Sequence, residues 1–311
     1  MIITGIKTSY FCLSTGISVL IILFLYVPFH HHSLYYDHMI DLHTHSHYSD
    51  GTLSPTELIN KAENLSMKAI AITDHDTTEG LKEGVKAAAT KNVKFIPGIE
   101  LSVNHKPGEL HILGLGIKSW DNNPILKNIN INRKLRNLKI IDLMNDNGLK
   151  ITYKELKKLT KGTIGRPHFA SWMMTQGHVC SIDEAFKDYL TWGKPFYIPR
   201  VTISLEEAIN FIHTSGGYAI VAHPLNIPVN FNALIEKLDY WISLGIDGIE
   251  AVHSGTRRNM TKRLLKYAQE KNCIITAGSD FHGDNKPHIK LGRTIKLGKI
   301  SEEFLPKELI R

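Results

Sequence analysis

The chain has 311 residues, 42% hydrophobic and 22% charged, a balance that excludes collagenous, low-complexity and largely disordered proteins. Three scattered cysteines (Cys12, Cys180, Cys273), none in a CxxC pair, exclude a disulfide framework and a cysteine-built zinc site and suit a reducing compartment. The net charge of +7 favours anionic ligands in general terms.

Residues 1–38 form a hydrophobic amino-terminal segment. Ser9 to Phe29 is a run of 21 residues without a charge, and about 20 suffice to cross a bilayer. No small-x-small cleavage site follows, so a membrane anchor fits better than a signal peptide. Lys7 is the only Lys or Arg before the run and Lys61 the first after it, which would put the body of an anchored protein outside the cytoplasm. The alternative is translation from Met39, which opens directly into the first strand and leaves a cytoplasmic protein. Both readings stand on the sequence.

Seven short apolar strands follow, over residues 41–45, 69–75, 95–100, 111–115, 218–223, 248–252 and 274–280. Polar residues gather at their C-terminal ends. The fourth is the exception: it begins with one, His111, after a hairpin-like return at Pro107-Gly108. Helical patterns separate most of them, opening at Ser54-Pro55, running from Thr77 to Thr90, and opening again at Ser204 with Glu206 and Glu207 in the first turn. Apolar strands alternating with helices predict an α/β fold with a parallel sheet or barrel. The rhythm breaks over residues 119–197, which are polar, Lys-rich and helical in period. They read as an insertion dividing the barrel into 39–118 and 198–311. Within it, Arg133-Lys134-Leu135-Arg136 reads as the wet face of an amphipathic helix.

The chemistry sits at the strand ends. His43 and His45 are two apart on a strand and so share a face. Asp50 follows in a Ser-Asp-Gly turn. His75, Glu100 and His223 end the second, third and fifth strands; Asp280 and His282 repeat the two-residue spacing of the first pair. With His111 this makes nine nitrogen or oxygen ligands near strand ends, enough for two or three divalent ions. Imidazole mixed with carboxylate suits manganese, zinc or iron. His38, His47, His105, His178, His213, His253 and His288 match no such position and read as structural or exposed, as do His30-His31-His32. Asp74 and Asp76 flank His75, either to orient it or to cap the next helix.

Several strings resemble the motifs of the PHP (polymerase and histidinol phosphatase) family. They are Asp41-Leu42-His43-Thr44-His45 with Ser49-Asp50-Gly51, Thr73-Asp74-His75-Asp76, Pro97-Gly98-Ile99-Glu100, Ala222-His223-Pro224, and Gly278-Ser279-Asp280-Phe281-His282. Gly165-Arg166-Pro167-His168 and Trp192 to Pro199 bring the resemblance closest to the branch containing RNase AM (TrpH-like) proteins and nucleoside 3′,5′-bisphosphate phosphatases. The resemblance covers residues 39–311. It implies a distorted (β/α)7 barrel with up to three metals, commonly manganese. It also implies that His43, His45, Glu100 and Asp280 hold one ion and Asp50, His75 and His282 a second. Glu100 would bridge to a third, completed by His111 and His223. The expected activity is hydrolysis of nucleotide phosphates: removal of the 3′-phosphate from nucleoside 3′,5′-bisphosphates, 5′→3′ trimming of short RNA, or both. A histidinol-phosphate phosphatase and a non-catalytic metal-binding module are the alternatives.

Phosphate-ester hydrolysis is among the slowest reactions in water, and a single acid or base supplies only about 10²–10⁴ of the required acceleration. A metal cluster fits that demand. Glu100, Asp280 and His282, with Arg166, are the expected catalytic residues. Arg166, His168, Lys194 and Arg200 are the expected substrate contacts, Arg166 because a guanidinium fork matches phosphate oxygens. Trp192, Phe196 and Tyr197 offer either a stacking face for a base or packing between insertion and barrel.

Overall fold

The computed structural model describes residues 38–121 and 123–310. Segment 9–29 and His30-His31-His32 lie outside them; among the described residues no helix is long and apolar enough to cross a membrane.

Seven strands form one sheet in sequence order: β1 (Ile40–Asp41), β2 (Ala69–Ile72), β3 (Lys94–Val103), β4 (Leu110–Leu115), β5 (Tyr218–Val221), β6 (Gly248–His253) and β7 (Ile274–Gly278). The last strand returns to the first. Leu42 N–H donates to the Ala277 carbonyl (3.1 Å), Asp280 N–H to that of His43 (2.9 Å) and His45 N–H to that of Phe281 (2.9 Å). The buried Asp41 carboxylate locks the seam, accepting from the Ser279 N–H (2.9 Å), the Ser279 hydroxyl (2.5 Å) and the Gly292 N–H (2.8 Å). The barrel is distorted because β4 runs antiparallel to both β3 and β5, whereas every other pair is parallel. That reversal places the start of β4 at the mouth where its neighbours end.

Side-chain alternation divides the core in two. Ala69, Ala71, Ile96, Leu113, Leu115 and Ile220 point into the barrel. Ile70, Ile72, Leu101, Ile112 and Val221 point outward against the helices. The tail contributes Ile300, Leu305 and Leu309 to the inner cluster, and Ile40 N–H donates to the Ile300 carbonyl, so the tail closes the end opposite the mouth. The outer helices are α1 (Pro55–Asn64), α2 (Leu81–Ala88) and, after the insertion, α7 (Leu205–Thr214), α8 (Phe231–Ser243) and α9 (Arg258–Glu270). Ser54 with Glu57, and Ser204 with Glu207, form reciprocal capping boxes where the sequence marks helix starts. The helical pattern over 77–90 shortens at its front: Asp76 takes a left-handed φ of 54° and residues 77–80 run as a mouth loop before α2.

Between β4 and β5 lie α3 (Pro124–Asp146), α4 (Tyr153–Lys157), α5 (Arg166–Thr175), α6 (Ile182–Ala185) and a π-helical turn at Phe186–Leu190. The front of α3 packs Leu126 and Ile129 on the barrel. Its rear packs Ile140 and Met144 with Phe169, Trp172, Leu190 and Phe196 in a separate core. The middle of α3 reverses the usual amphipathic order. Arg133 and Arg136 are 8% and 4% exposed, while Ile131 and Leu135 are 58% and 53% exposed. The run 133–136 is therefore not a wet face: two of its three cations turn inward, toward the barrel mouth.

Candidate metal centre and arginine wall

Strand parity delivers three of the nine candidate ligands. Counting from inward residues, Ala69 and Ala71 lead to His75, Ile96 to Glu100, and Leu113 back to His111. Two others depend on backbone distortion. His223 has φ 29° and Asp280 φ 59°, conformations costing a non-glycine residue about 1–3 kcal/mol. Both are held in place: His223 N–H donates to Glu250 Oε2 (2.7 Å) and Asp280 N–H to the His43 carbonyl. Asp50 arrives because its turn folds tightly onto the end of β1. A Cβ at Gly51 would lie 2.1 Å from the His45 carbonyl oxygen, so only glycine fits.

Glu100, 1% exposed, stands at the centre. Its Oε2 lies 3.4, 3.2 and 3.0 Å from His43 Nε2, His45 Nε2 and His75 Nδ1; its Oε1 lies 2.9 Å from both His111 Nδ1 and His223 Nε2. Asp280 Oδ1 lies 3.6, 3.4 and 3.4 Å from His43, His45 and His282, and Asp50 Oδ1 is 3.3 Å from His282 Nε2. The rings of His45, His75, His111, His223 and His43 form a closed circuit with neighbouring centroids 4.6–5.7 Å apart, and His282 stacks on His45 at 4.1 Å. All nine candidate ligands thus fall in one connected cluster around Glu100, and His75, Glu100, His111, His223 and Asp280 line a cavity above it.

Residue chemistry and geometry fit divalent ions. His43 Nε2, His45 Nε2, Asp50 Oδ1, His75 Nδ1 and Glu100 Oε2 are buried and make no well-formed hydrogen bond among the described residues. Orphaned polar atoms of this kind are costly unless something occupies them. Their separations match ligands around one ion, which sit about 3.0–3.6 Å apart when metal–ligand distances are about 2.0–2.2 Å. Three groups bring one ligand atom from each residue within 4.8 Å of one another: His45, Asp50, His75 and His282; His43, His45 and Glu100; and His75, Glu100 and His111. Burial pushes the carboxyls of Asp50, Glu100 and Asp280 up, but the surrounding imidazoles, and Lys286 beside Asp280, hold all three well below the carboxylate range. Despite burial, His45 is raised to about 9 by Asp280 and Glu100, and His43 rises well above its usual value beside Glu250 and Glu100. Burial instead lowers His75, to about 3, and also His223 and His282, which leaves these imidazoles neutral as metal binding requires.

Beside this centre stands a wall of four arginines. Arg166 Nη2 donates to Glu109 Oε1 (2.6 Å), and its guanidinium lies 5.5 Å from the Tyr197 ring. Arg200 Nη1 donates to the Ser102 hydroxyl (2.6 Å), and Arg133 pairs with Asp76. Burial and the neighbouring Arg200 and Arg166 push Arg136 down to about 9. Donors at Arg136 Nε and Nη1, Arg166 Nε and Arg200 Nε are buried without partners among the described residues. Such a wall is short of anions.

The other expected contacts divide. His168 is buried beside Arg166, but its Nδ1 accepts from the Gly165 N–H (2.9 Å) and so serves the start of α5. Lys194 is exposed on the turn at 191–194, and its N–H donates to the Thr191 carbonyl (3.0 Å). Phe196 is core, whereas Trp192 is 80% exposed and meets Tyr197 edge-on at 5.6 Å. Asp74 neither orients His75 nor caps α2; it takes Ser46 and Ser49 (2.5–2.7 Å). Asp76 accepts from Ser102 N–H and from Arg133.

Some residues of the site escaped the motif reading. Glu250, buried on β6, accepts from His223 N–H and meets His43 Nδ1 at 3.0 Å, fixing two ligands at once. The available signal was a carboxylate inside an apolar strand. His253 is 6% exposed, neither surface nor remote: its Nε2 lies 3.7 Å from Asp280 Oδ2. Lys286, 2.6 Å from that oxygen, and Glu109 line a cavity of about 360 Å³ over the ligands.

The sequence matches the PHP domain family over residues 41–190. It is 33% identical over 244 residues to a 5′-3′ exoribonuclease of Haemophilus influenzae, covering 78% of this chain and 89% of that protein. It is 34% identical over 269 residues to a 3′,5′-nucleoside bisphosphate phosphatase of Chromobacterium violaceum, covering 84% and 93%. The chain belongs to the PHP family. Its fold agrees with solved structures. One is a candidate metal-dependent phosphoesterase from Bifidobacterium adolescentis (TM-score 0.78, 27% identity, 88% of this chain and 96% of that one). Another is an amidohydrolase from Chromobacterium violaceum with bound sulfate and no metal (TM-score 0.73, 32% identity, 81% and 90%). The family match ends at residue 190, so three candidate ligands of this PHP protein, His223, Asp280 and His282, lie beyond it.

Proposed function

We propose that this PHP protein is a metal-dependent hydrolase of nucleotide phosphates. It removes the 3′-phosphate of nucleoside 3′,5′-bisphosphates and trims short RNA from the 5′ end at the same site. The observation that carries this reading is the adjacency of two unlike halves: a carboxylate ringed by imidazoles, and a wall of buried arginines with unpaired donors. The names of the relatives from Haemophilus and Chromobacterium support the substrate class.

His43, His45, Glu100 and Asp280 would hold one ion, Asp50, His75 and His282 a second, and His111 and His223 with Glu100 a third. Manganese is the preferred ion, since mixed imidazole and carboxylate ligands suit it, with zinc or iron(II) as substitutes. When bound, such ions lower the pKa of a coordinated water toward neutrality and neutralise the phosphate. The protein's own residues do the rest. Glu100 spans the ion sites with its two oxygens. Glu250 keeps His43 Nε2 turned toward them. Arg166 and Arg200 seat the phosphate that does not react, placing the other over the ligands. His168 supports Arg166 through the start of α5, and Lys194 adds long-range positive charge at the rim.

Comparing substrates with and without a second phosphate tests this division. Removing a charge-assisted hydrogen bond costs about 1.5–3 kcal/mol, roughly tenfold to over a hundredfold in kcat/KM. Arg166→Ala should lose that much on a 3′,5′-bisphosphonucleotide and almost nothing on p-nitrophenyl phosphate. Equal losses on both would remove the nucleotide assignment.

A further inference from the structure

We propose that Lys286 is a catalytic residue of this centre, its ammonium binding the reacting phosphoryl group inside the cavity. The inference rests on the phosphoesterase reading and adds a residue that the PHP motifs do not contain.

The backbone around Lys286 is fixed from several sides. It follows the short turn Gly283–Asn285, and its N–H donates to the Gly283 carbonyl (3.2 Å). Asn285 Nδ2 donates to the Asp50 carbonyl (2.7 Å), and Asp284 N–H to the Thr52 hydroxyl (3.0 Å). The turn is therefore tied to the loop carrying Asp50. The side chain is then directed by Asp280, whose two oxygens do different things. Oδ1 faces His43, His45 and His282 at 3.4–3.6 Å, within the ligand set. Oδ2 takes the Lys286 ammonium at 2.6 Å. Asp280 can thus serve an ion through one oxygen while holding the lysine through the other.

An ammonium has three protons, and Asp280 uses one. Lys286 is 38% exposed at its side chain and is the single Lys or Arg lining the cavity of about 360 Å³ among the described residues. The other charged side chains there, Glu100, Glu109 and Asp280, are carboxylates, which repel a phosphate. Arg166 meets the cavity only through Glu109. A phosphate lying over the ligands therefore has one side-chain cation within that cavity, placed before the substrate arrives and needing no reorganisation as charge develops on the phosphoryl oxygens. No proton or bond changes at the lysine.

The rival role is purely structural: Lys286 neutralises Asp280 and keeps it aimed. Three measurements on the purified metal-loaded full chain separate the two. These are kcat/KM on p-nitrophenyl phosphate, kcat/KM on a 3′,5′-bisphosphonucleotide, and Mn²⁺ affinity by competition with a fluorescent chelator. For Lys286→Met the expected result is a loss of about tenfold to a hundredfold on both substrates, because both present a reacting phosphate. Mn²⁺ affinity should stay within about twofold, excess Mn²⁺ should not rescue, and Lys286→Arg should recover part of the loss. A parallel fall in Mn²⁺ affinity with rescue by excess ion overturns the proposal in favour of the tether. A loss confined to the bisphosphate, or none, also overturns it. A wild-type enzyme inactive on both esters overturns the phosphoesterase reading itself, a result distinct from any change in the variant alone.

Discussion

The two halves of the site are built by different means. The imidazole–carboxylate cluster comes from strand ends, where a period of two and one common mouth send side chains from distant parts of the sequence to the same place. The arginine wall comes from α3, α5 and the return segment before α7; helical period relates Arg133 to Arg136, but nothing periodic relates that pair to Arg166 or Arg200. The proposed function rests chemistry on the first half and choice of substrate on the second. If that separation is real, variants in the cluster damage every phosphate ester alike. Variants in the wall discriminate among substrates.

The largest effect is expected at Glu100. Its carboxylate touches five imidazoles, whereas any one histidine touches only a few partners. Glu100→Gln removes the charge and one accepting oxygen with little change in volume. Activity should fall by at least ~10³-fold, about 4 kcal/mol in the barrier, on p-nitrophenyl phosphate and on a bisphosphonucleotide. Metal content measured by mass spectrometry should fall with it. A variant that keeps its metal and loses activity on one substrate alone would erase the distinction between the halves.

Arg133 tests the wall from the side of stability. Its guanidinium pairs with Asp76, whose other oxygen takes the Ser102 N–H, so the pair ties α3 to the end of β3. Breaking a buried pair by removing one partner costs about 3–5 kcal/mol because the other charge is left behind. Arg133→Met should lower the unfolding free energy measured by urea titration by that amount while Mn²⁺ affinity holds. Arg133→Met with Asp76→Asn should recover much of the loss, since neither charge is then stranded. Failure of the double variant to recover would mean that Arg133 matters for its own packing.

This contrast also explains what could be read from the sequence. The barrel was legible because each strand repeats the same rule, apolar body and polar end, and the β4 exception announced itself through His111 at the wrong end of its strand. His75, Glu100 and His111 converge for the same reason, whereas His223 and Asp280 need positive-φ backbone and Asp50 a glycine turn, which strand period does not announce. Glu250 stayed hidden because a carboxylate that orients ligands needs no motif spacing, only a neighbour across the sheet. Arg133 and Arg136 were misjudged for a deeper reason. Helical periodicity says which residues share a face but not which face is turned inward. Here that face is chosen by Asp76 and the mouth, and Ile131 and Leu135 are left outside.

The smallest effect is expected at Glu109, where the two halves meet. Burial raises its carboxyl, but Arg166, Arg200 and His111 draw it down to about 2, so it is ionised at any working pH. It sits 2.6 Å from Arg166, on the donors that a non-reacting phosphate would use, and its Oε2 lies 4.0 Å from His111 Nε2. A phosphate reaching Arg166 must displace it. The side chain is half exposed, so the pair is worth only the ~0.2–1 kcal/mol of a solvent-screened ion pair. Glu109→Gln should therefore lower KM for a 3′,5′-bisphosphonucleotide by up to about fivefold, leave kcat nearly unchanged, and leave p-nitrophenyl phosphate untouched. The sign is what matters. A raised KM would mean that Glu109 positions Arg166 instead of competing for it. A fall in Mn²⁺ affinity would assign the carboxylate to the ion cluster, and the border between cluster and wall would then run on its far side.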